Sequence, residues 1–105
     1  PTAQNPSVAA VEVLTGEEDT DVRRAAALRL ATTTQLPPDV VDDLLQLVKN
    51  PTEDEVVRTR LVRALGRAPR DRAGEVADQL NEMFDLEPSK NVKTAIVEAV
   101  TQLNP

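Results

Sequence analysis

The stretch Asp54-Glu55-Val56-Val57-Arg58-Thr59-Arg60-Leu61-Val62-Arg63-Ala64-Leu65-Gly66 decides the fold. Its apolar residues Val57, Leu61 and Leu65 fall four apart, the spacing of one face of an α-helix. Asp54 is a residue type suited to the start of a helix, and Thr52-Glu53-Asp54-Glu55 reads as a capping box. Downstream, Pro69 disfavours helical geometry at Ala68 and closes the segment. The spacing predicts a helix over about 53–67.

Moving thirty-five residues in either direction from this stretch lands on the same pattern. Val22, Val57 and Val92 recur at that interval, each followed by a cation, Arg23, Arg58 and Lys93. Ala26, Leu61 and Ile96 align, as do Ala27, Val62 and Val97, and Leu30, Leu65 and Val100. Asp19, Asp54 and Ser89 share the capping position. A repeat of this length implies stacked supersecondary units, each too small to bury its own apolar face. The matching helices are predicted over about 20–33 and 89–103.

A first helix precedes each of these, because the same interval links Ala10, Leu45 and Leu80, and also Val13, Val48 and Met83. The first helices are predicted to begin near Pro6 with Asn5 as cap, near Pro38 with Asp39, Asp42 and Asp43 in the opening turns, and near Arg72 behind an Asp71 cap. Asn50-Pro51 and Glu87-Pro88 close two of them. Each unit is therefore a helical hairpin. The short connections suit antiparallel neighbours, and no strand pattern survives. The expected architecture is all-α: three hairpins at about 6–33, 37–67 and 71–103, one domain over 6–105 behind a flexible tail at 1–5.

Composition excludes much chemistry. The 105 residues suffice for one core and contain no Cys and no His. Disulfides, thiol nucleophiles, Cys/His metal sites and the usual proton-transfer side chain are thus all missing. The net charge is −6 and aromatics amount to one residue, Phe84. The average field repels nucleic-acid backbones and anionic lipid, so nucleic acid is not the expected partner. No apolar run approaches the roughly 18 residues that span a bilayer, so no membrane insertion is expected. Ser7 and Ser89 both sit where helix entries are predicted. Lys49, Lys90 and Lys93 fall near helix ends, so nothing activates a nucleophile. No cofactor and no metal are implied, and the chain reads as a non-enzyme. The start at Pro1 in place of Met suggests a processed chain or a piece of a larger protein. The compartment is left open, with a cytoplasmic one slightly favoured over a secreted or periplasmic mature fragment.

Three features stand out. The first is a run of six arginines in fifteen residues, Arg58, Arg60, Arg63, Arg67, Arg70 and Arg72. Arg60, Arg63 and Arg67 share a helical stripe that the other repeats lack, where the equivalents are Ala25, Leu28 and Thr32, and Ala95, Glu98 and Gln102. Together with Arg70 they form a docking point for an acidic peptide or partner carboxylate, or else pair with Glu53, Asp54, Glu55, Asp71, Glu75 and Asp78. The second is the acidic group Asp39, Asp42 and Asp43, with Glu17, Glu18, Asp19 and Asp21 nearby. It suits a cation or a basic partner, or simply helix dipoles, and lacks the spacing of a calcium loop. The third is apolar surplus at both ends, in Val8 to Leu14 and in Val92, Ala95, Ile96, Val97, Ala99, Val100 and Leu103. A neighbouring domain, further repeats or a second copy would cover it, unless the exposure is simply tolerated.

The segments Asp19-Thr20-Asp21-Val22-Arg23-Arg24-Ala25-Ala26-Ala27-Leu28 and Asp54 to Gly66 resemble the second helix of HEAT repeats. They are closest to the short HEAT-like repeats of phycobilisome lyases, whose pattern is an acidic cap, Val-Arg, an Ala-rich turn and Ala-Leu-Gly. The third repeat keeps only Val92-Lys93 and the apolar columns. The resemblance implies a short right-handed α-solenoid with the second helices on its concave face. It also implies a structural ladder between neighbouring repeats formed by Asp19, Arg23, Asp54 and Arg58, weakened at Ser89 and Lys93. It implies a protein-interaction or scaffolding role, or alternatively that of a non-catalytic accessory subunit of a lyase-like enzyme that handles a cofactor or ligand.

Overall fold

The structure is a computed structural model that describes residues 5–17 and 19–104. It contains six α-helices and no strand among the described residues: α1 Pro6–Gly16, α2 Thr20–Ala31, α3 Pro38–Lys49, α4 Glu55–Leu65, α5 Ala73–Phe84 and α6 Lys90–Leu103. Apart from Asn5, the expected tail at 1–5 lies outside the described residues.

The helix starts follow from side chains that accept the free amides of a first turn. Asn5 Oδ1 accepts from the Ser7 amide at 2.8 Å, Asp19 Oδ1 from Asp21 at 2.9 Å and from Val22 at 3.3 Å, Asp54 Oδ2 from Val57 at 3.1 Å, and Ser89 Oγ from Val92 at 3.2 Å. Two expected caps are replaced. The Thr52 to Glu55 capping box does not form, because Asn50 Oδ1 takes the Thr52 amide and hydroxyl at 3.0 and 2.8 Å and Asp54 caps α4 alone. Asp71 does not cap α5. Pro69 starts a single 3-10 turn over Arg70–Arg72, which feeds directly into Ala73.

The second helices α2, α4 and α6 form one continuous layer with α4 in the middle, and each first helix packs on its own partner. The molecule measures 42 × 30 × 18 Å, so its thinnest dimension is about two helix diameters. The core runs through Leu30, Val41, Leu44, Leu61, Leu65 and Leu80 and is aliphatic throughout. Gly66, at the end of α4, allows close packing: a Cβ there would meet Gln102 Oε1 and lie 3.1 Å from the Ala99 Cα.

The repeat columns are equivalent in register but not in environment, which modifies the simple expectation. Val57 and Val92 are fully buried while Val22 is 44% exposed, and Ala27 and Val62 are buried while Val97 is 53% exposed. The reason is positional. The Val22 column faces the preceding hairpin and the Val97 column the following one, and among the described residues each is without that neighbour at one end of the stack.

Candidate functional site

The arginine stripe of α4 and of the turn that follows it lies on the layer formed by the second helices. Arg60 Nη1 donates to the Arg24 carbonyl at 2.8 Å, and Arg67 Nη1 donates to the Ala31 carbonyl at 2.5 Å. Both side chains are half-buried and clamp α4 onto α2. Arg63 is exposed, its Nε 3.4 Å from Glu98 Oε1 of α6. Arg70 is exposed in the 3-10 turn. A groove of about 300 Å³ lies between the C-terminal halves of the three helices, lined by Ala31, Arg63, Arg67, Glu98, Ala99 and Gln102. It unites Arg63 and Arg67, while Arg60 and Arg70 stand outside it. A guanidinium has five N–H donors, so the Ala31 contact leaves Arg67 donors for a carboxylate.

The cations that follow each matched valine do a different job. Arg23 donates to the Leu14 carbonyl of its own first helix at 3.4 Å and pairs with Glu53 of the next connection. Arg58 repeats this with the Val48 carbonyl at 3.1 Å and with Glu87, whose Oε2 accepts at 3.0 Å. Lys93 turns to its own first helix, 5.1 Å above the Phe84 ring, a cation–π contact. The anionic rungs are thus Glu53 and Glu87, which the sequence reading gave only local roles. Asp19 spends its carboxylate on the first amides of α2. Asp54 caps α4 and also takes a two-pronged contact from Arg24, at 2.9 Å from Nε and 2.8 Å from Nη2. The signal that could have singled out Glu53 and Glu87 is their position one and two residues before a cap, near the repeat interval.

The electrostatics follow this wiring. The Arg24 fork holds the Asp54 carboxyl down at about 2, against the opposing pull of burial and with help from the Val57 amide. Burial works to raise Glu87. The Arg58 fork, the Ser89 amide and the Lys93 charge outweigh it, leaving that carboxyl below its ordinary value.

A second groove, of about 320 Å³, opens on the opposite edge between α3 and α5, walled by Val48, Pro51, Met83, Leu86 and Pro88 above the Arg58–Glu87 pair. Leu86 is 88% exposed there. Ser7 is buried at the start of α1 and Ser89 caps α6. Among the described residues no three acidic side chains gather in a metal-holding group. No helix among them is long and apolar enough to cross a membrane.

A model of HEAT repeats matches residues 7–101. No curated protein and no solved structure gives a match.

Proposed function

Because the chain belongs to the HEAT-repeat family, we propose that it is a protein-interaction or scaffolding module that captures an acidic peptide or a partner's carboxylate on the α2–α4–α6 layer. The observation that carries this reading is the groove where Arg63 and Arg67 meet. Guanidinium forks bind carboxylates in pairs, and helical-repeat layers present extended binding surfaces. Arg60 supports the site by holding α4 against α2, and Arg70 adds positive field at the next turn. The ends of the stack offer a further docking area for a neighbouring domain or a second copy, through the apolar surface around Val22 and Val97.

The test is fluorescence anisotropy with a labelled hexaglutamate peptide. Arg63→Glu, which leaves both clamps on α2 intact, is expected to weaken binding at least tenfold, by about 1.4 kcal/mol or more. Unchanged affinity in that variant overturns the arginine groove. A second reading, an accessory subunit that handles a ligand for an enzyme, is favoured only by the apolar groove between α3 and α5. Leu86→Asp would abolish ligand-induced thermal stabilisation if that reading holds.

A further inference from the structure

The two exposed ends of the stack are opposite halves of one repeating interface. On α2 the residues Val22, Ala25 and Arg29 are exposed, whereas Val57 and Ala64 of α4, and Val92, Ala95 and Ala99 of α6, are buried against the preceding hairpin. On the other side, Ala27 and Val62 are buried by the following hairpin, while Val97 and its neighbour Thr101 are exposed. Among the described residues, the hairpin α1–α2 therefore shows the backward-facing surface without its cover, and α5–α6 shows the forward-facing one.

The charges complete the pattern. Inside the stack, the cation of one hairpin bonds to an acid in the loop of the next, Arg23 to Glu53 and Arg58 to Glu87. Lys93 is the third cation of the series, and no ion pair involving it appears among the described residues. Glu17 occupies the repeat position of Glu87, two intervals upstream. It also holds the same pose: Glu17 Oε1 accepts the Asp19 amide at 2.9 Å, as Glu87 Oε2 accepts the Ser89 amide at 3.1 Å. The acid is arranged to receive a cation and is exposed.

We propose that this chain associates head to tail with a second copy, the Val97 face of one on the Val22 face of the next, with Lys93 pairing to Glu17 across the join. The apolar groove on the receiving end, about 520 Å³ and bounded by Pro6, Val13, Val22, Ala25 and Arg29, takes the exposed side of α6. Arg29 stands where the inner repeats have Ala64 and Ala99, and Thr101 where α4 has Gly66. The helices therefore approach less closely than α4 and α6 do, and the join is weaker than those inside the stack. Arg29 supplies a guanidinium for the carbonyls at the end of α6, as Arg67 does for Ala31. A heterologous contact that continues the stack leaves one face free at each end, so the mass grows with concentration.

The proposal rests on the reading of the ends as docking surfaces and is independent of the arginine groove. Sedimentation equilibrium on the full chain tests it. Wild type is expected to show a mass that rises continuously with concentration. Val22→Glu and Val97→Glu, both at exposed positions and checked for helix content by circular dichroism, are each expected to be monomeric alone and to form a dimer when mixed in equal amounts. Lys93→Glu and Glu17→Lys should each weaken association at least tenfold, and the double variant should recover it. A wild type that is monomeric at millimolar concentration overturns both the join and the self-docking reading of the ends. A dimer of wild type that one variant abolishes without recovery on mixing points to a symmetric contact and overturns the head-to-tail arrangement alone.

Discussion

Arg58 is 8% exposed and Glu87 5% exposed, so removing either partner strands the other as a buried charge. Breaking such a pair costs about 3–5 kcal/mol. Glu87→Ala is therefore expected to lower the free energy of unfolding by that amount in urea titrations. Arg72, which pairs at the surface with Asp42 at 2.7 Å and Glu75 at 2.8 Å, should leave the urea midpoint nearly unmoved when replaced by Ala. Asp54 gives a pH dependence with a definite sign. Its folded pKa of about 2 lies below the ordinary 3.8, so the stability it contributes is present in full above the ordinary value and is lost as pH falls toward 2. Glu87 is shifted in the same direction. Urea midpoints of wild type should fall between about pH 4.5 and pH 2, and Asp54→Asn should show a shallower fall over the same window. At this scale the sequence showed which cations matter but not their anions. A carboxylate one or two residues before a cap looks like any loop acid until the next hairpin brings an arginine to it.

Among the elements, α4 carries the most, because it packs on both α2 and α6 as well as on α3. Leu61 and Leu65 are fully buried in it, so Leu61→Ala is expected to cost about 2–5 kcal/mol. That is a large share of the roughly 5–15 kcal/mol that holds a domain together, and thermal melts should show it plainly. Gly66→Ala sets two effects against each other. Its backbone is helical at φ −62°, so alanine gains about 1 kcal/mol from chain entropy. The added methyl, however, would be pressed against the Ala99 backbone, and overpacking typically costs about 1–3 kcal/mol. A small net loss is expected by urea denaturation, and a net gain would show that α6 can retreat. The second helices were legible because period and cap coincide at Asp19, Asp54 and Ser89. The start of α5 was legible to within a residue, but its entry was not, since Asp71 lies inside a 3-10 turn that Pro69 begins and does not cap the helix.

For the whole molecule, the thirty-five-residue interval foretold the three hairpins and the order in which they pack. It could not foretell which members of a column would be bare, because that depends on place in the stack and not on residue type: Val22 and Val57 are the same side chain in different surroundings. The hairpins are also joined unevenly. The seam between the last two is closed at α4 and α6 by Gly66 against Ala99. Across it α3 and α5 barely touch, linked by Lys49 to Gln79, with Arg72 of the preceding 3-10 turn reaching Asp42. The expected consequence is one compliant direction, in which the final hairpin swings about the seam held by Gly66 and the Arg58–Glu87 pair and the outer fissure changes width more than that seam does. Cross-linking Lys49→Cys to Gln79→Cys should remove this elasticity and narrow the distribution of end-to-end distances seen by paired spin labels.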